Sequence, residues 1–180
     1  MQGIVLCFSG AIASGKTTIS VNLAKHLGCP RVSFGDYVRK VTLARGLDIS
    51  SIDVLQNVGE SLIKEGCRKF CSSVLEQINW EPGQTLVVDG IRHKEALVKL
   101  KELTAPSRVF LIYITSSQVV QDKRLKEKGI SSQQMESIER HSTEKDVKSE
   151  LPAMADITVD GSKTADENVQ DIITFLNTID

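Results

Sequence analysis

Apolar residues fall into two rhythms along this chain, unbroken short runs and stripes recurring about every fourth position, and the two rhythms alternate from end to end. Gly3 to Phe8 (GIVLCF) is a branched, unbroken run closed by Ser9-Gly10, which predicts a strand buried on both faces. A helix follows at once from Lys16 to Leu27, where Ile19, Leu23 and Leu27 share a face and Gly28 with Pro30 supplies the stop. Arg31 to Phe34 is a second short strand, and Asp36 is placed to cap a helix running through Arg45 to Gly46. Ser50, with Asp53 three residues on, opens a longer helix whose face is Ile52, Leu55, Val58, Leu62 and Ile63, running to about Asn79 with a break near Gly66.

The second half repeats the alternation. Thr85 to Val88 predicts a strand ending in Asp89-Gly90, Lys94 to Leu103 a helix, and Arg108 to Thr115 (RVFLIYIT) the most β-like run of the chain. Thr115 with Gln118, Ser131 with Gln134, and Thr164 with Glu167 have capping-box spacing; the first two open a helix to Lys128 and the helix after it. Pro152 interrupts before a last strand, Asp156 to Val159, and the third box caps a terminal helix carrying Val169, Ile172, Ile173 and Leu176. Five strands alternating with helices predict a parallel sheet between two helical layers, an α/β/α sandwich with its ligands at the carboxyl ends of the strands.

At 180 residues, with neither repeats nor Pro/Gly linkers, the chain is expected to form a single domain spanning 1–180. Lys plus Arg total 22 against 23 Asp plus Glu, so no broad cationic field exists to hold a nucleic-acid backbone, and 4% aromatics leave no row of stacking platforms. Any phosphate must be gripped locally. The short N-terminal apolar stretch suits neither a signal peptide nor a membrane span, so a cytoplasmic protein without membrane or nucleic-acid partners is expected. Cys7, Cys29, Cys67 and Cys71 form no CxxC pair. Cys67 and Cys71 lie one helical turn apart and His26 stands three before Cys29, leaving a metal site and idle buried thiols as the two readings.

Gly10-Ala11-Ile12-Ala13-Ser14-Gly15-Lys16-Thr17 fits G-x-x-x-x-G-K-[ST] letter for letter between a strand and a helix. A chance fit in a chain of this length has odds on the order of one in a hundred. The glycines let the backbone curl so that successive N–H groups point inward, and the helix N-terminus adds partial positive charge to the same hole. Lys16 is expected to reach the β- and γ-phosphates of a nucleotide, and the Thr17 hydroxyl to coordinate a bridging Mg²⁺.

Four further segments matter: Val32-Ser33-Phe34-Gly35-Asp36-Tyr37-Val38-Arg39, Val87-Val88-Asp89-Gly90-Ile91-Arg92, Arg124-Leu125-Lys126-Glu127-Lys128, and Val159-Asp160-Gly161-Ser162. With the phosphate loop, they make the chain resemble the small P-loop nucleoside monophosphate kinases of the adenylate-kinase type and relatives such as dephospho-coenzyme A kinase. The resemblance implies a three-layer P-loop kinase fold with a helical acceptor-binding insert over 36–80 and a short helical lid over 129–150. It implies that ATP and Mg²⁺ are used, with Gly10, Ala11, Ala13, Ser14, Gly15, Lys16, Thr17, Thr18, Arg124 and Gly161 on the nucleotide and Thr17 and Asp89 on the metal. Gly35, Asp36, Arg39 and Arg92 would hold a small phosphorylated acceptor, and Lys16, Arg39, Asp89, Arg92 and Arg124 form the catalytic set it implies. Arg140 and Lys145 are the lid cations available to the transferring group.

The chain departs from that pattern in two places. One residue is missing between Asp89 and Arg92 relative to adenylate kinase itself, and Lys128 stands where the family has a second arginine, a point charge that cannot fork. Plainer readings stand beside the functional ones: Arg39 as a solvated helix residue, Asp89 as a turn aspartate, Arg92 at a helix entry, Arg124 paired with Asp122 or Glu127, and Glu139 to Lys148 as a wet helix face. His93 and His141 have no partner spaced for nucleophilic or metal chemistry. The resemblance implies a nucleoside or deoxynucleoside 5'-monophosphate as acceptor; dephospho-coenzyme A, or an ATP-operated regulatory protein with no acceptor, are the alternatives, in a monomer or homodimer.

Overall fold

The computed structural model describes residues 3–141 and 143–179. Five parallel strands, β1 (Ile4–Gly10), β2 (Arg31–Ser33), β3 (Leu86–Ile91), β4 (Arg108–Thr115) and β5 (Ile157–Asp160), lie in the order β2-β3-β1-β4-β5. The α/β sandwich expected from the alternation is what forms. The helices are α1 (Lys16–Leu27), α2 (Phe34–Ala44), α3 (Ile52–Leu75), α4 (Lys94–Leu103), α5 (Gln118–Glu127), α6 (Ser132–Arg140), α7 (Thr143–Lys148), α8 (Glu150–Ala153) and α9 (Ala165–Leu176). None is long and apolar enough to cross a membrane.

Alternation along β1 separates two cores. Val5 and Cys7 face one side, with α2, α3, α4 and the α7–α8 segment; Leu6 and Phe8 face the other, with α1 and α9. Both sets are fully buried, which is why this strand is continuously apolar rather than alternating. Across the sheet, Phe8 stands beside Asp89, and Asp89 beside Ser33, so the carboxyl ends of β1, β2 and β3 form one edge. A single bulge between Phe8 and Ser9 shifts the register, and the Ser9 hydroxyl donates to the Ile91 carbonyl across it at 2.7 Å.

Three caps differ from the sequence expectation, each for a local reason. Ser33, not Asp36, caps α2, its hydroxyl accepting from the Asp36 amide at 3.2 Å. Since β2 stops at Ser33, Asp36 is already in the first turn. Ser51, not Ser50, caps α3, because the Asp48 carboxylate already takes the Ser50 amide (2.8 Å) and hydroxyl (2.7 Å). Ser117, not Thr115, caps α5; Thr115 remains in β4 and donates its hydroxyl to the Val159 carbonyl at 3.1 Å. The boxes at Ser131/Gln134 and Thr164/Glu167 form as expected. The break in α3 sits at Gly66, whose φ of 153° a side-chain-bearing residue rarely adopts.

Residues 129–150 fall into two unlike parts. Helix α6 lies on the outside, touching α3 through Ser137 to Asp53 (2.8 Å) and His141 to Asn57 (3.0 Å). By contrast α7 and α8 are built into the core: Val147 and Leu151 are fully buried, and the Tyr113 hydroxyl donates to the Val147 carbonyl at 2.9 Å. Replacing a fully buried leucine removes its transfer energy and leaves a cavity, so Leu151→Ala is expected to lower unfolding free energy by about 2–5 kcal/mol in urea titrations. A loss under about 1 kcal/mol would place α7–α8 outside the cooperative core.

Candidate active site

The turn from β1 into α1 is shaped by three residues with left-handed φ: Gly10 (147°), Ala13 (62°) and Gly15 (104°). At Gly10 a Cβ would also stand 2.5 Å from the Ile114 carbonyl oxygen, so glycine is required there twice over. Helix α1 has no side-chain cap and no acid in its first turn, which leaves its positive end to whatever lies above it. Thr17 and Thr18 are exposed on that turn.

Lys16 folds back across the loop and donates to the Ala11 carbonyl at 2.7 Å, with 7% of its surface exposed. Burial pushes its ammonium down to about 7; Arg92 and Lys128 push the same way, while Asp89 and Glu144 oppose them. This is a positive charge held where little water reaches it, a state that an arriving anion would relieve.

Two cavities meet at the loop. The smaller, of about 360 Å³, is lined by Gly15, Thr17, Thr18, Arg124, Lys128 and Gly161. Arg124 pairs with neither Asp122 nor Glu127. It donates to the carbonyls of Ala13 (3.0 Å) and Gly161 (2.7 Å), bridging the phosphate loop to the turn after β5. That turn presses so closely that a methyl group on Gly161 would collide with the Ser14 carbonyl. Asn168, fully buried, holds the same turn by donating to the carbonyls of Asp160 (2.9 Å) and Thr164 (3.1 Å).

The larger cavity, of about 560 Å³, brings Lys16, Thr17, Asp89 and Arg92 together with Gly35, Asp36 and Arg39 on α2. Apolar side chains of α2 and α3, among them Val38, Leu55 and Phe70, form its deep wall. Asp89 is buried; one carboxylate oxygen takes the Arg31 guanidinium at 2.5 Å and the other has no hydrogen-bond partner among the described residues. Asp89 and Thr17 line the same cavity, and a carboxylate with an unpartnered oxygen and a hydroxyl are the hard oxygen donors that Mg²⁺ takes with phosphate and water. The donor set fits the ion. Arg39 is more than half exposed and only loosely paired with Asp36, at 3.4 Å.

Arg140 pairs with Glu136 on the surface at 2.6 Å, and Lys145 is exposed outside the cavity; Lys128, at the end of α5 and just before 129–150, lines both cavities. Two participants escaped the sequence reading. Arg31 starts β2, and only the β2–β3 register reveals that it reaches Asp89. Glu144, inside the charged run, is 3% exposed and paired with Arg92. Among the described residues no cluster of three or more His, Cys, Asp or Glu is arranged for a metal. Cys7, Cys67 and Cys71 are buried, and burial pushes the Cys7 thiol up to about 12.

An anion on the loop favours charged Lys16, so triphosphate binding at about pH 8 is expected to draw in up to about one proton per site, and at about pH 6, where the lysine is already charged, almost none. Calorimetry in two buffers of different ionisation heat measures this, and Lys16→Met should abolish the pH 8 uptake. Equal uptake at both pH values would refute it.

Comparison with known proteins places this geometry. A family model described as an AAA domain matches residues 6–147. Among curated relatives, a UPF0200 protein of Methanosarcina mazei is 30% identical over 79% of this chain and 76% of its own length; a UPF0200/UPF0201 protein of Archaeoglobus fulgidus is 31% identical over 93% of this chain and 53% of its own. The chain spans 53–63% of the length of several of these relatives. In fold it is similar to a gluconokinase from Sinorhizobium meliloti (TM-score 0.62, 17% identity, 99% of this chain and 93% of that one) and to the Mycobacterium tuberculosis APS kinase CysC (TM-score 0.61, 16% identity, 98% of each). The fold is thus that of the P-loop kinases, and the chain belongs to the AAA domain family and, within the curated proteins, to the UPF0200 group.

Proposed function

We propose that this protein transfers the γ-phosphoryl group of ATP to a small phosphorylated acceptor, a nucleoside or deoxynucleoside 5'-monophosphate. The observation that carries the reading is the larger cavity, which is lined by Lys16 and Thr17 together with Arg39 and Arg92. Its volume of about 560 Å³ suits a small molecule rather than a polymer. Two arginines beyond the phosphate loop have a ready use if a second phosphate enters. The fold neighbours that phosphorylate gluconate and APS, as their names state, support phosphoryl transfer as the reaction class.

Phosphoryl transfer asks little covalent help of a protein and much placement and charge neutralisation. In this reading amides of the loop hold the β-phosphate, and Lys16 follows the transferring group. Arg124 braces the loop against the turn at Gly161 and borders the smaller cavity, where the base and sugar of the donor belong. Thr17 and Asp89 would hold Mg²⁺, which when bound neutralises charge on the β- and γ-oxygens. Arg31 holds Asp89 in place through one carboxylate oxygen. Arg39, released from its long pairing with Asp36, takes the acceptor phosphate, while the turn that carries Lys128 and Ile130 borders the cavity and keeps out water that would otherwise hydrolyse ATP.

A panel of nucleoside and deoxynucleoside monophosphates and dephospho-coenzyme A, scored for acceptor-dependent ADP release, tests the proposal. Lys16→Ala should lower kcat by on the order of 10²–10³-fold. Arg39→Ala should raise acceptor KM by about 10–100-fold and leave ATP KM nearly unchanged. ADP release that ignores every acceptor would instead favour a nucleotide-operated regulatory protein.

A further inference from the structure

Arg92 and Glu144 meet across 52 residues of chain, from the end of β3 and from α7, in an ion pair where the carboxylate is almost wholly buried and the guanidinium is a quarter exposed. Breaking such a pair would strand Glu144 as an unpaired buried charge, so the carboxylate stays where it is. Its own helix is fixed as well. The Asp146 carboxylate accepts from the Lys94 amide at 3.1 Å, Lys94 Nζ reaches Glu150 at 3.1 Å, and Val147 and Leu151 are fully buried. Glu144 thus stands on a strut rather than on a moving lid.

A guanidinium carries five N–H donors in a rigid fork. Glu144 takes Nη1; Nε and Nη2 make no hydrogen bond with the described residues, and Arg92 lines the larger cavity beside Lys16 and Asp89. We propose that Glu144 is the positioning residue for Arg92: it clamps one edge of the guanidinium so that the other edge faces the cavity and binds the anionic group of the acceptor. This rests on the reading that the larger cavity receives an acceptor. A carboxylate that merely competed for Arg92 would predict the opposite, tighter anion binding when it is removed.

The two are separated by titrating inorganic phosphate calorimetrically into the full chain with its loop saturated by a non-hydrolysable ATP analogue. Wild type should bind phosphate. Glu144→Gln and Arg92→Ala should each weaken it by about tenfold or more, and the double variant should be no weaker than Arg92→Ala alone, because both remove one ligand. Glu144→Asp, which keeps the charge but retracts it by a methylene, should fall between wild type and Glu144→Gln, and it gives the same comparison if Glu144→Gln does not fold. In each variant affinity for phosphate should fall further than affinity for the ATP analogue, although Arg92 and Glu144 also act on Lys16.

Phosphate binding that is absent in wild type, unchanged or tighter in Glu144→Gln, or weakened additively in the double variant overturns the proposal. If phosphate follows the expected pattern while no monophosphate is turned over, the acceptor chemistry proposed above fails and the role of Glu144 stands.

Discussion

The ammonium group of Lys16 sits where water barely reaches, held by the Ala11 carbonyl at the tip of β1, and the charges around it are arranged in answer to that position. Arg92 presses on it from the end of β3 and Lys128 from the end of α5; Asp89 and Glu144 offset them. Isolated buried charges are costly, and here two of the groups around Lys16 are matched from distant stretches of chain: Asp89 by Arg31, Arg92 by Glu144. The result is a site poised for negative charge but stable without it, since Arg92 spends only one nitrogen of its guanidinium on the described residues.

The sheet order explains why these groups can meet. β1 lies between β3 and β4, and the chain leaves its carboxyl end into α1 on one face while β2 and β3 send α2 and the Arg92 segment toward the other. Side chains from three strand ends are thereby brought to the mouth of a single loop, the usual place for a ligand in a sheet of this kind. The deep wall of the cavity comes from α2 and α3; the kink of α3 at Gly66 separates the lining residues between Ile52 and Ile63 from Phe70, which lines the cavity from beyond the kink.

Much of this was legible in the order of residues. The strand runs are apolar on both faces because the sheet is covered on both faces, so β1 and β4 stand out without any alignment, and the phosphate loop is defined by glycines whose φ values demand them. What could not be read depended on competition or on distance. Asp48 takes the amide and hydroxyl of Ser50, so the cap moves to its neighbour; nothing in the spacing of serines reveals which is already engaged. Glu144 and Val147 lie in a run of charges that has every mark of a solvated face, and their burial follows from partners on β3 and β4 brought close only by folding. Arg31 is the same case in reverse, an ordinary strand-opening arginine that pairs with Val87 in register and reaches Asp89, two residues on, only through its side chain.

The fit of Gly161 against Ser14 ties the last crossover of the chain to its first loop. With Arg124 stitching both carbonyls together, the phosphate loop has its outer wall only once β5 and the turn that follows are in place. A nascent chain emerging from the ribosome would therefore carry every residue of the anion hole long before the hole had its final shape. The nucleotide capture proposed for this loop would in this sense depend on β5 and its turn, and would report their docking more faithfully than the appearance of the sheet itself.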